Sequence, residues 1–271
     1  FIRKKASDII KNKIYLKYKS QINLRSLALA KSMKIKKLKV FKKPKVFVIC
    51  TGDEIVKSNN KSSLIESTND MFIRFIVEKF GGEIIKLCYS NDKQDDFIKQ
   101  YKSVKEFDIL ITSGGISKGK YDIVKSSLKK NGLKILFDRI AIKPGKPTTF
   151  GKLSHRKYFL GLPGNPVSCF LTMLNFFPVF MSSFYGITYS PLSKKEFISK
   201  SKLCRNNNLT QFQRVSISGN YFSVFKNQDS SLLNVLNLSN GILIRKPFDS
   251  SIEKNRKREL ILFENIISSG I

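Results

Sequence analysis

The sequence predicts an α/β protein: a three-layer α/β/α domain with a mostly parallel sheet, then a small β-rich C-terminal domain. Three observations carry this. KVFVIC (residues 45–50) is a continuous apolar run of the kind that forms a buried parallel strand, and FDILI (107–111) is a second apolar, strand-like run. Each ends on a turn rich in glycine or proline, TGDE at 51–54, SGGISKGK at 113–120 and LPGNP at 162–166, and strand and helix patterns alternate along the chain. After Pro191 short β-prone segments separated by Asn, Ser and Gly take over.

Residues 1–43 carry too little apolar mass for a domain of their own. They read as a short strand, a basic connector, a helix over 24–32 and a strand to Val40. The chain opens on Phe rather than Met, which predicts a fragment of a longer protein. Pro44 opens the α/β domain, expected over 44–190. Its first strand is 45–50, and Thr68 or Asn69 is placed to cap a helix with Met71, Phe72, Phe75, Ile76 and Phe80 on its apolar face. Gly81 and Gly82 end that helix. Further strands are expected at 83–89, 107–111, 133–137 (a candidate edge strand) and 157–160, with helices over 92–102, 121–130 and 167–181. Pro166 suits the first helical position behind Asn165. In the C-terminal domain, 191–271, strands are expected at 211–217, 221–225, 241–245 and 259–263, with a turn or two of helix within 231–240.

A length of 271 residues fits two domains, one larger than the other. The net charge of +30 invites a nucleic-acid reading. The excess is mostly Lys, spread thinly, in a chain also rich in Ile, Asn, Phe and Ser, the residues of A/T-rich codons. Compositional bias accounts for that pattern, and no specific nucleic acid is expected; an anionic small ligand gains from the field either way. The four cysteines have no metal-ligand spacing, and Cys50, Cys88 and Cys169 lie in apolar runs, as small buried hydrophobes do in a reducing compartment. His155, the single histidine, sits in a polar turn, which leaves no raw material for a His-based relay. No apolar run of about 18 residues and no signal-peptide layout is read, so a cytoplasmic protein without a membrane span is expected.

The candidate chemistry lies in the turns. Gly114 and Gly115 let backbone approach a ligand, Ser113 and Ser117 add hydroxyls, and Gly119 permits a second tight turn. Asp122 follows at a helix start, where two readings stand: a capping carboxylate, or a Mg²⁺ ligand facing bound phosphates. Of the acidic pair Asp53 and Glu54, Glu54 is favoured as the chemical carboxylate and Asp53 as structural. Lys143 and Lys146, in IKPGKPTTF, are framed by prolines that reduce the entropy lost on holding cations toward an anion. Solvated loop lysines are the alternative. Gly164 and Asn165 of LPGNP sit before a helix N-terminus that attracts negative charge, and Ser168 lies one turn in. A purely structural strand-to-helix junction would look the same. The inventory suits a phosphate-bearing ligand handled with a divalent metal.

TGDE, SGGISKGKYD, IKPGKP with the following FG, and GLPGNPVS, in this order and at these separations, resemble the molybdopterin molybdenumtransferase family, which is related to the gephyrin E domain. The resemblance implies the molybdopterin-binding α/β fold and insertion of molybdate into adenylylated molybdopterin with Mg²⁺ and release of AMP. It makes Glu54 and Asp122 the catalytic and metal-binding carboxylates, with Lys143 and Lys146 holding anionic oxygens. Thr51, Ser113, Gly114, Gly115, Ser117 and Gly119 would line the pterin-phosphate path, and Pro163, Gly164, Asn165, Pro166 and Ser168 the molybdate end. It further implies a homodimer, a molybdopterin adenylyltransferase as candidate partner, and residues 1–43 as the remnant of an N-terminal dimerisation domain. An adenylyltransferase-like activity and a non-catalytic pterin-binding scaffold are the alternatives.

Overall fold

The computed structural model describes residues 7–52, 67–115, 122–188 and 192–268. In chain order the elements are α1 (Leu24–Ser32), β1 (Lys45–Thr51), α2 (Asn69–Lys79), β2 (Glu83–Ser90), α3 (Gln94–Lys102), β3 (Ile109–Ser113) and α4 (Ile123–Lys130). There follow β4 (Lys134–Asp138), β5 (Ile142–Lys143), β6 (Thr149–Ser154), β7 (Lys157–Leu162) and α5 (Pro166–Tyr185). The C-terminal part comprises β8 (Lys194–Ser199), β9 (Thr210–Ser218), β10 (Tyr221–Val224), α6 (Leu233–Leu238), β11 (Gly241–Arg245), β12 (Lys257–Leu262) and α7 (Phe263–Ser268).

The first sheet has the order β2-β1-β3-β7-β6-β4. β2, β1, β3 and β7 are parallel, and β6 lies antiparallel to both of its neighbours. Successive side chains of a strand face opposite sides, and β1 uses both. Val46, Val48 and Cys50 pack with Ile73, Ile76 and Val77 of α2 and with Val167, Leu171 and Phe177 of α5. Phe47 and Ile49 pack with Phe97 of α3 and with Val124 and Leu128 of α4. This is the expected α/β/α sandwich. Each fully buried Val, Ile or Phe contributes roughly 1.5–3 kcal/mol.

The second sheet runs β10-β8-β12-β11-β9-β5. One face encloses Val215, Phe222, Leu243, Ile252 and Leu260. Phe212, Ile242, Ile261 and Phe263 join the α5 core instead, so the C-terminal sheet is fused to the α/β sandwich through apolar contact. β5 adds a second link. Ile142 and Lys143 leave the first sheet and pair in parallel with Thr210 and Gln211 of β9.

Several expectations are corrected. No strand forms up to Val40 or within residues 7–10; Val40 and Phe41 are exposed, because a strand needs a pairing edge and the described residues offer none there. The segment touches the sandwich through the Phe41–Tyr185 ring pair and the Lys19 Nζ to Gly186 carbonyl bond. The buried stripe of α2 is Ile73, Ile76 and Val77, with Phe80 packed behind it, while Met71 and Phe75 are exposed. β5, β6 and β8 are additional strands, and β3 begins at Ile109 rather than Phe107. α5 runs to Tyr185, closed by Gly186 in the left-handed conformation. With 20 residues it is also long and apolar enough to cross a membrane, contrary to the reading from apolar runs. Half of its residues are buried inside the protein, as in a core helix.

Candidate functional site

Parallel strands deliver their carboxyl ends to one edge of a sheet, where the turns that follow can share a ligand. Register enforces this here: Cys50 pairs with Ser113, and Ser113 with Leu162, so the turns after β1, β3 and β7 start side by side. Gly114, at φ +88°, packs onto β1 so closely that a Cβ would lie 2.4 Å from the Thr51 carbonyl oxygen. Gly115, at φ +61°, would bring one within 2.8 Å of Thr51 Oγ1. The Gly114 amide donates to the Leu162 carbonyl (3.1 Å). These turns form one wall of a cleft of about 940 Å³.

The cleft is further lined by the loop 142–147 and the loop 226–230 of the C-terminal part. The first springs from β5, packs Gly145 at φ +111° against Thr172 of α5, and is closed by Thr148, whose amide and hydroxyl both donate to the Gly145 carbonyl (3.1 and 2.6 Å). The second is braced by Arg214, which is 1% exposed. Its guanidinium donates to Gln228 Oε1 (3.3 Å), the Leu232 carbonyl (3.2 Å) and the Asp229 carbonyl (2.9 Å). Gln228 returns bonds to the Arg214 and Phe225 carbonyls. Burial pulls the Arg214 pKa below its ordinary value, and the Asp229 carboxylate works against that shift. The Asp229 carboxyl is itself held low by the amide and hydroxyl of Ser231.

The structure brings nine expected site residues onto this cleft: Thr51, Gly114, Gly115, Lys143, Lys146, Pro163, Gly164, Asn165 and Ser168. Three others sit elsewhere. Ser113 is buried at the end of β3, its hydroxyl accepting from Asn69 and directed at the Pro163 carbonyl. Pro166 occupies the first turn of α5 and does not line the cleft. Asp122 stands at the head of α4, outside the cleft lining, and its side chain makes no capping bond. Its Oδ2 instead pairs with Lys125 Nζ at 2.9 Å. Its Oδ1 is buried without a hydrogen-bond partner among the described residues. Glu54, Ser117 and Gly119, with Asp53, lie outside the described residues. Asn165 is at the N-cap of α5 but does not cap it: its Nδ2 donates to Ser230 Oγ (2.8 Å), while the Val167 amide donates to the Ser230 carbonyl (3.2 Å). Part of the helix terminus expected to attract an anion is thus engaged by the C-terminal loop.

Two contributors were not singled out from sequence. Asn69, expected as a possible cap, is buried and lines the cleft, donating from Nδ2 to Ser113 Oγ and to the Gly164 carbonyl at 2.7 Å each. It ties the glycine turn to the LPGN turn. The other is the 226–230 loop with Arg214; the alternation in QFQRVSI, which sets Arg214 two residues from Phe212, was the available signal of an inward-facing cation.

No group of three or more His, Cys, Asp or Glu that could hold a metal occurs among the described residues. Mg²⁺ does not require one, since it is commonly held by one or two carboxylates with water and substrate phosphates. The unpartnered Asp122 Oδ1 fits that sparser donor set.

A profile of the family described as "Probable molybdopterin binding domain" matches residues 47–182, half of the chain. The chain belongs to this family. Among curated relatives, a molybdopterin molybdenumtransferase from Haemophilus influenzae is 39% identical over 174 residues, covering 63% of this chain and 43% of the relative. One from Synechocystis sp. is 32% identical over 182 residues, covering 65% and 46%. A solved molybdopterin biosynthesis MoeA protein from Pyrococcus horikosii superposes with a TM-score of 0.74 at 27% identity, covering 90% of this chain and 60% of that one. The chain therefore spans less than half the length of those two curated relatives. The molybdopterin-binding match covers the turns after β1, β3 and β7 and the lysine loop, and ends within α5, short of the 226–230 wall.

Proposed function

We propose that the chain acts in molybdenum cofactor biosynthesis as the catalytic part of a molybdopterin molybdenumtransferase. Adenylylated molybdopterin and molybdate would meet in the cleft, molybdate entering at the dithiolene and water cleaving the phosphoanhydride so that the adenylyl group leaves as AMP. The observation that carries this reading is the convergence of the three strand-end turns with the proline-framed Lys143 and Lys146 on one cleft. The amide-rich turns suit the phosphate tail, and the two ammonium groups suit its charge or that of the oxyanion. Asn69 would keep the two turns at a fixed separation. Asp122, through Oδ1, and Glu54 would hold Mg²⁺, which when bound would offset phosphate charge. The excess positive charge of the chain would favour capture of an anionic ligand.

A homodimer, a molybdopterin adenylyltransferase as supplier of the nucleotide, and a cytoplasmic location follow from the same reading. A second reading, pterin-nucleotide binding without turnover, is favoured by one observation: Asp122 stands outside the cleft lining. One assay separates the two. AMP release from adenylylated molybdopterin is measured with and without molybdate. Release that depends on molybdate supports insertion; binding with no release supports the scaffold reading; release indifferent to molybdate rejects insertion.

A further inference from the structure

Lys125 lies on α4 with 5% of its surface exposed, outside the cleft lining, and is flanked by two carboxylates. Its Nζ is 2.9 Å from Asp122 Oδ2 and 3.1 Å from each oxygen of Asp138. Burying a lysine is costly, and an apolar residue could fill such a site without losing hydration. What the ammonium adds is a fixed geometry between the groups it joins.

Those groups belong to different parts of the site. From Asp138 the bonding continues into the base of the lysine loop. Thr149 Oγ1 donates to Asp138 Oδ1 (2.6 Å), and the two residues face each other across β4 and β6. The Arg139 amide donates to the Thr148 carbonyl (2.9 Å) and the Ile140 amide to the Lys146 carbonyl (3.0 Å). Thr148 in turn holds the Gly145 carbonyl. An unbroken line therefore runs from Asp122 through Lys125 to the backbone carrying Lys143 and Lys146.

We propose that Lys125 is a positioning residue that sets the Asp122 carboxylate relative to the lysine loop. It engages Oδ2, fixes the carboxylate plane, and leaves Oδ1 as the oxygen directed to other work. The inference rests on the reading of Asp122 as a site residue.

The test uses the full chain with AMP and Mg²⁺ as the probe, the dissociation constant being read by calorimetry. Asp122→Asn is expected to weaken Mg²⁺-dependent AMP binding about tenfold. Lys125→Met reproduces that loss. Asp138→Asn weakens binding about threefold in the unaltered background and adds nothing in the Lys125→Met background, the non-additivity expected of groups acting through one another. Should Lys125→Met not fold, Thr149→Val, remote from Asp122, is expected to weaken binding about twofold through the same line. A merely structural Lys125 would lower thermal stability yet leave the affinity of the folded protein unchanged. Unchanged affinity in Lys125→Met, or in Thr149→Val if that variant stands in for it, with loss in Asp122→Asn, overturns the positioning role and spares the functional reading. Unchanged affinity in Asp122→Asn, or no binding by the unaltered chain, overturns the reading itself.

Discussion

Replacing Gly114 by alanine tests how the glycine turn is held against β1. The residue sits at φ +88°, and its new Cβ would lie 2.4 Å from the Thr51 carbonyl oxygen and 2.9 Å from Thr51 Oγ1. A left-handed conformation costs a non-glycine residue about 1–2 kcal/mol. Relief of the clash requires the turn to leave β1 by several tenths of an ångström or more, against backbone rather than a flexible side chain. That movement weakens the Gly114 amide bond to Leu162, worth about 1 kcal/mol. The sum is about 2–3 kcal/mol, or roughly 4–12 °C in melting temperature for a protein of this size. Gly219→Ala supplies the control: at φ +57° it is also left-handed, but a Cβ there would meet nothing within 4 Å. It should cost about 1–2 kcal/mol and leave ligand affinity untouched. Melting followed by circular dichroism, with calorimetric titration of adenylylated molybdopterin, reads both quantities. If Gly114→Ala melts no lower than Gly219→Ala and binds the nucleotide as the unaltered chain does, the close approach of the turn to β1 does not matter and the reasoning fails.

Other consequences are as direct. Arg214→Met removes the donor from two backbone carbonyls and Gln228, at roughly 3 kcal/mol. It should expose residues 225–232 to limited proteolysis before the rest of the chain is cut, whereas resistance equal to that of the unaltered protein would contradict the bracing role. Burial acts to raise the Asp138 pKa, but the bonds from Thr149 and Lys125 outweigh it and hold the carboxyl below its ordinary 3.8. The associated stability is therefore present above that value and lost as pH falls through the lower folded one. The difference in melting temperature between the unaltered chain and Thr149→Val should narrow below pH 4 or so; a gap that widens in acid has the wrong sign. Burial pushes the Cys50 thiol up to about 12 and raises Cys169 as well, while Cys204 is exposed. Iodoacetamide should modify Cys204 alone in the native protein, with Cys50, Cys88 and Cys169 reacting only on unfolding, as mass spectrometry of peptides would report.

What could be read from the sequence followed from how completely each segment is buried. β1 and β3 are apolar on both faces, so unbroken hydrophobic runs marked them. TFGKLS and KKEFIS, which form β6 and β8, mix glycine and lysine with few apolar residues and gave no such signal. β5 is two residues long and exists through pairing with β9 more than sixty positions away, which no local pattern encodes. The turn after β3 was legible because positive φ and close backbone approach select glycine at 114 and 115, and the turn after β7 because proline suits the first turn of the helix that follows. Asn69 was not, since an asparagine at a helix start looks like a cap whether its amide reaches its own helix or the neighbouring turns. Arg214 was lost among a surplus of basic residues, where a buried cation and a solvated one are written with the same letter. The strand expected up to Val40 failed for the opposite reason: apolar residues recur there, but the described residues give them no edge to join, while residues 1–6 of the first expected strand lie outside the described residues.

Calorimetric titration of adenylylated molybdopterin into the full chain, repeated with Lys143→Ala and Lys146→Ala, shows whether the cleft binds the nucleotide and whether the two lysines hold it. One site per chain is expected, with affinity reduced about tenfold or more by each substitution. Binding that is absent from the unaltered chain, or indifferent to both lysines, would contradict it.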